Sequence, residues 1–154
     1  MITIADLLPA DHVALDLAAT TPRAAIDEVA ALMKNDVAVD DWSALLAGVH
    51  AVAPCLPEVE GGFAICIPHT RGECVSTMVM SVGRSAAGVP FPGVDLRVRY
   101  IFCIAVPRAL AADYLRIVGL LARVFKDPAA ECELRAAGTP ADFINLLSRR
   151  ETKL

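Results

Sequence analysis

Apolar positions change period twice along the chain, and that change is the main structural signal. Residues 13–17 alternate apolar and polar, so they predict a first strand. Thr21 and Pro22 then open a helix: a hydroxyl N-cap precedes a proline at the first helical position, where a missing N–H costs nothing. Ile26, Val29, Ala30 and Met33 follow at helical spacing, and Asn35 is a stop signal. Asp40 or Asp41 caps a second helix with Trp42, Leu45, Leu46 and Val49 on its apolar face. It must end by Pro54, because the residue before a proline is pushed out of the helical region.

The middle third reads as strands: residues 63–67, 77–82 and 98–106 are β-branched, aromatic or alternating, with turn residues between them. Residues 88–93 form an irregular connection. After Pro107 the helical period returns, with Leu115, Val118, Leu121 and Phe125 as one stripe. Asp127 and Pro128 cap a short helix ending near Gly138. Thr139 to Asp142 reads as a capping box leading into Phe143, Ile144 and Leu147. Three strands joined without helices require some antiparallel pairing, and the helices should cover both faces. The expected fold class is α/β: a three-layer α/β/α sandwich with a mixed parallel/antiparallel sheet.

No repeat, low-complexity tract or linker interrupts the 154 residues, so residues 1–154 read as a single domain. Although 56% of the residues are hydrophobic, no apolar run approaches the roughly 20 residues a membrane-spanning helix needs. The N-terminus does not read as a positively charged segment followed by an apolar one, so a signal peptide is not expected, and a cytoplasmic location without direct membrane insertion is. The net charge of -4 argues against nucleic acid, which normally requires a basic face, but leaves a basic protein partner open. Five cysteines without a Cys-x-x-Cys pair suggest reduced thiols. Cys66 and Cys74 bracket His69, but the spacing fits no zinc pattern and no metal is expected. A thiol or metal protein built on Cys66, His69 and Cys74 would require the three side chains to converge.

The candidate chemistry lies at residues 65–71. Pro68 should stop the preceding strand and leave His69 on a loop just beyond it. A largely neutral imidazole is a nucleophile that can take a phosphoryl group and pass it on. Thr70 can donate a hydroxyl hydrogen bond and Arg71 a guanidinium fork to phosphate oxygens. His50, near the end of the second helix, and His12, before the first strand, read as dipole-complementing and surface histidines. Glycine-rich nucleotide loops and a Gly-x-Ser-x-Gly elbow are missing from the sequence.

Across nearly its whole length the sequence resembles the type 2 IIA proteins of the bacterial phosphoenolpyruvate-dependent phosphotransferase system (PTS), the fructose/mannitol and nitrogen-regulatory branch. Residues 7–17 with the Thr-Pro-capped helix resemble the family's opening, and residues 64–69 its phosphorylation motif. Residues 82–85, 88–91, 98–107 and 114–123 resemble the strands, turns and helix that follow. The resemblance implies the IIA fructose/mannitol-type fold and a phosphocarrier with a phosphohistidine intermediate at His69. It implies an HPr-type phosphocarrier protein as donor, a IIB domain or regulatory protein as acceptor, and no cofactor. Ala53 stands where the family usually has an arginine, and Tyr114 where it usually has a supporting histidine. Within the resemblance, His50 could partly replace the arginine and the Tyr114 hydroxyl could contact phosphate or orient a ring. A regulatory binding module with weak or no phosphotransfer is the alternative reading.

Overall fold

The computed structural model describes residues 1–59 and 63–153. In chain order the elements are α1 (Ile4–Leu7), β1 (Val13–Ala14), α2 (Pro22–Ala31), α3 (Trp42–Ala51), β2 (Cys55–Val59), β3 (Phe63–Cys66), β4 (His69–Arg71), β5 (Val79–Val89), β6 (Arg97–Val106), α4 (Ala111–Lys126), α5 (Pro128–Ala136) and α6 (Pro140–Lys153). The described strands form one sheet in the order β1-β5-β6-β3-β2, with β4 also paired to β6. β5–β6 and β2–β3 are antiparallel; β1–β5, β3–β6 and β4–β6 are parallel. The expected mixed sheet is present, and α/β/α layering follows from its two apolar faces.

One face packs Ile65, Ile67, Phe102 and Ile104 against α1, α4, α5 and α6. The other packs Ala64, Cys66, Ile101 and Cys103 against α2 and α3. Side-chain alternation assigns odd and even positions of β3 to opposite covers.

Several helix starts follow the local chemistry. Thr21 Oγ1 accepts from the Ala24 N–H, Asp41 Oδ1 from Ala44, Asp127 Oδ1 from Ala129 and Thr139 Oγ1 from Asp142. Each supplies a partner to an otherwise orphaned first-turn donor. At the far end of α5, Arg84 Nη1 lies 2.9, 3.0 and 2.8 Å from the carbonyl oxygens of Leu134, Arg135 and Ala137. A guanidinium from β5 thus serves the carbonyls the helix leaves unpaired.

Some expectations need correction. The first strand covers only Val13–Ala14 rather than residues 13–17. The third spans Val79–Val89, so it starts later than residue 77 and runs into the expected connection at residues 88–93. Gly88, inside the strand where the β5–β6 register shifts, has φ +76, and a Cβ there would stand 2.6 Å from the Arg97 Cβ. On α4 the buried stripe is Tyr114, Ile117, Leu120, Leu121, Val124 and Phe125. Leu115, expected inside, is exposed. Among the described residues the middle third holds five strands rather than three, because Cys55–Val59 and His69–Arg71 also pair.

His12 is buried rather than a surface residue: its Nδ1 lies 2.9 Å from the Met80 carbonyl oxygen and its Nε2 3.4 Å from Asp36. A second buried polar group joins Arg99 of β6 to Glu131 of α5 at 3.1 Å, with the guanidinium 3.5 Å over the Phe63 ring. The Tyr100 hydroxyl also donates to Glu131.

Candidate functional site

β3 and β4 are two pieces of one line of pairing along β6, separated by Ile67 and Pro68. Pro68 has no N–H, so it cannot continue as an ordinary ladder residue. Its carbonyl still accepts from the Ile104 N–H at 3.0 Å. Pairing resumes at once, with His69 opposite Ile104. His69 therefore opens a short strand instead of lying on a loop, a correction that makes its direction predictable.

The main-chain N–H of His69 donates to the Val52 carbonyl just after α3, at 2.9 Å. Its side chain turns toward α4, where the Tyr114 ring lies 4.9 Å away between centroids with a 38° interplanar tilt. Nδ1 of His69 sits 3.0 Å from the Ile67 carbonyl oxygen, which the strand break leaves available. A carbonyl can only accept, so this contact places a proton on Nδ1, and in the neutral ring the lone pair is then on Nε2.

The other candidates divide between two faces. Thr70 points the opposite way from His69: a Cβ on Gly48 of α3 would stand 2.2 Å from the Thr70 Oγ1. Thr70 packs into the helix–sheet seam and does not share the imidazole's face. Arg71 returns to that face and is exposed. Burial pushes the Tyr114 phenol up from its ordinary value, and the nearby Arg71 charge partly offsets it. Tyr114 is therefore a neutral hydroxyl donor at neutral pH.

His50 is held elsewhere. Its Nε2 lies 2.6 Å from Asp27 of α2. It lines an open cavity of about 650 Å³ with Arg23, Ala53, Cys55 and Phe91 rather than the surface bearing Tyr114. Cys66 is buried on the α2–α3 face while His69 faces α4, so Cys66, His69 and Cys74 do not converge on one point. No cluster of three or more metal-binding side chains occurs among the described residues.

Sequence reasoning missed the acceptor that fixes the ring. The signal was Pro68 itself, which breaks the ladder and leaves the carbonyl two residues before His69 available. Two exposed apolar residues are linked to the site through the backbone: Val52, whose carbonyl accepts from the His69 N–H, and Leu115, which follows Tyr114 in the chain, at 47% and 66% exposure.

A mixed sheet covered by helices on both faces, with a histidine whose Nδ1 is engaged by a backbone carbonyl and whose ring packs on Tyr114, defines an α/β/α protein with a candidate nucleophilic site. Residues 6–150 match the family described as phosphoenolpyruvate-dependent sugar phosphotransferase system, EIIA 2, and the chain belongs to that family. It is thus an EIIA component with the phosphocarrier role of the system. A relative from Haloferax volcanii, described as a PTS system fructose-specific EIIA component, is 32% identical over 127 residues, covering 78% of each chain. The nitrogen regulatory protein IIA-Ntr of Neisseria meningitidis shares the fold: TM-score 0.78, 20% identity, and coverage of 94% of this chain and 98% of that one. So does a complex of the mannitol enzyme IIA with phosphorylated enzyme IIB from Escherichia coli, with TM-score 0.73 and 18% identity over 92% of this chain and 97% of that chain. No helix among the described residues is long and apolar enough to cross a membrane.

Proposed function

We propose that His69 is the residue through which this EIIA protein carries phosphate, and that Nε2 is the accepting atom. The observation carrying this reading is the 3.0 Å contact between Nδ1 and the Ile67 carbonyl, which leaves the lone pair on Nε2. The lone pair attacks phosphorus as the donor's phosphorus–nitrogen bond breaks, and the phosphoryl group changes carrier without ATP. Arg71 supplies positive charge for the phosphoryl oxygens, and Tyr114 a hydroxyl donor. The donor is an HPr-type phosphohistidine protein and the acceptor a IIB domain or a regulatory target, all in the cytoplasm. The Escherichia coli enzyme IIA mannitol, which shares this fold, forms a complex with a phosphorylated IIB. Thr70 and His50 have structural duties here: the former packs against Gly48, the latter pairs with Asp27.

A regulatory binding module with weak transfer is favoured by one observation. The segment after α3 offers only Ala53 where a phosphate-binding arginine is usual, and that residue lines the α2–α3 cavity. Incubation with phosphoenolpyruvate and the general phosphotransferase proteins separates the two readings. Wild type should gain the mass of one acid-labile phosphoryl group, and His69→Ala none. If neither gains mass while an authentic IIA control does, the carrier reading fails and the binding module stands.

A further inference from the structure

Cys55 and Cys66 stand directly opposite each other in the β2–β3 antiparallel pair. The next couple along is hydrogen-bonded, since the Ile67 N–H donates to the Pro54 carbonyl at 2.8 Å. Hydrogen-bonded and non-hydrogen-bonded couples alternate, so Cys55 and Cys66 occupy a non-hydrogen-bonded position. Such couples bring Cα atoms to about 4.5 Å and side chains closest together. A disulfide spans Cα separations of about 4.4–6.8 Å, so the spacing of this couple falls within the range a bond can bridge.

The environment gives the two thiols different parts. Cys55 is half-buried and lines the open cavity beside Arg23 and His50, where a small solute can reach it. Cys66 is fully buried behind it. The adjoining Cys66 thiol holds the Cys55 thiol below its ordinary value, and Cys55 together with burial pushes Cys66 up. The Ala53 carbonyl, 3.5 Å from the Cys66 sulfur, is the other acceptor open to that proton.

We propose that Cys55 and Cys66 form a hydroperoxide-oxidised disulfide site, with Cys55 the attacking thiol and Cys66 the resolving one. In the first step the Cys55 thiolate sulfur attacks a peroxide oxygen. The O–O bond breaks, giving a Cys55 sulfenic acid and one water (an alcohol for an organic peroxide). In the second, the Cys66 sulfur displaces the sulfenic oxygen as water and the S–S bond forms. Two thiols lose two electrons and the peroxide takes them. The bridge ties the segment carrying Val52, whose carbonyl receives the His69 N–H, to the strand leading into His69. Oxidation therefore fastens the backbone frame of the histidine site.

The test uses the full chain with exposed Cys132 changed to serine. It is treated with hydrogen peroxide, alkylated and digested without reductant. The expected product is a dithiothreitol-sensitive peptide pair joining Cys55 and Cys66, with the intact protein lighter by two hydrogen atoms. Cys55→Ser should abolish it, and Cys66→Ser should leave a dimedone-trappable sulfenic acid at Cys55. A stable sulfenic acid at Cys55 with Cys66 present would overturn the proposal, as would linkage of Cys66 to buried Cys103. The result is independent of whether His69 accepts phosphate.

Discussion

The His69 imidazole packs against the Tyr114 ring, their centroids 4.9 Å apart, while its Nδ1 is engaged by the Ile67 carbonyl. Packing from one side and a hydrogen bond along the ring plane together leave the imidazole little freedom to rotate. Tyr114 therefore has two separable contributions, a ring that holds and a hydroxyl that donates. Tyr114→Phe should change stability by less than about 1 kcal/mol. It should slow phosphoryl acceptance by about tenfold, the loss of one hydrogen bond worth about 1.4 kcal/mol in the transition state. Tyr114→Ala should cost about 3 kcal/mol of stability as well. Urea denaturation and the initial rate of phosphate incorporation measure the two effects; an unchanged rate for the phenylalanine variant would confine Tyr114 to packing.

Gly48 and Thr70 form a close helix–strand approach beside the site. A Cβ at position 48 would stand 2.2 Å from the Thr70 Oγ1 and 2.5 Å from its Cβ. Gly48→Ala gains helix propensity of about 1 kcal/mol yet should be net destabilising by about 1–2 kcal/mol, because overpacking costs more. Adding Thr70→Ala should recover only part of that loss, since the Thr70 Cβ remains. Thermal unfolding of the single and double variants checks both statements.

Arg99 and Glu131 should behave as a buried pair. Glu131→Ala strands the guanidinium under Phe63 and should cost about 3–5 kcal/mol. The double variant Arg99→Met, Glu131→Met should recover most of this; the remainder is the Tyr100 hydroxyl and the half-exposed Arg135 guanidinium, which both lose their partner at Glu131. Denaturant midpoints decide, and no recovery in the double variant would count against the account.

Stability should fall on the alkaline side. Burial pushes the Cys103 and Cys74 thiols and the Tyr100 phenol above their ordinary values. In the unfolded chain thiols ionise near pH 8.5 and phenols near pH 10, whereas in the folded chain they hold their protons. The folded state then binds more protons, so stability is fully present below about pH 8.5 and is lost as pH rises, by up to about 1.4 kcal/mol per pH unit per group. Urea midpoints between pH 7 and 10 should show the decline, and Cys103→Ala should flatten it.

Much of the architecture was legible because its signals are local. Thr21, Asp41 and Asp127 cap helices through atoms two or three residues away, so their meaning needs no tertiary knowledge. β2 was not legible, because Cys55–Val59 contains Pro57, which reads as a loop. It is tolerated there because β2 is the sheet's edge. His12 looked like surface because Asp36 and Met80, its partners, are distant in sequence. Leu115 and Tyr114 both fit a helical stripe, and only docking of α4 on the sheet chose between them.

The candidate site divided in the same manner. His69 stood out through Pro68 and its neighbours. Thr70 was grouped with it because adjacent loop residues can face one ligand, whereas adjacent strand residues cannot.

That alternation carries a consequence for how this segment can vary. β4 is three residues long and bonded to β6 on a fixed register. One residue inserted or deleted between Cys66 and His69 would exchange the histidine and the threonine across the sheet, aiming the imidazole into the crevice against Gly48. Replacement of individual side chains here can be gradual in effect. A change in length is all-or-none, so the span from strand break to histidine behaves as a fixed ruler within an otherwise adaptable surface.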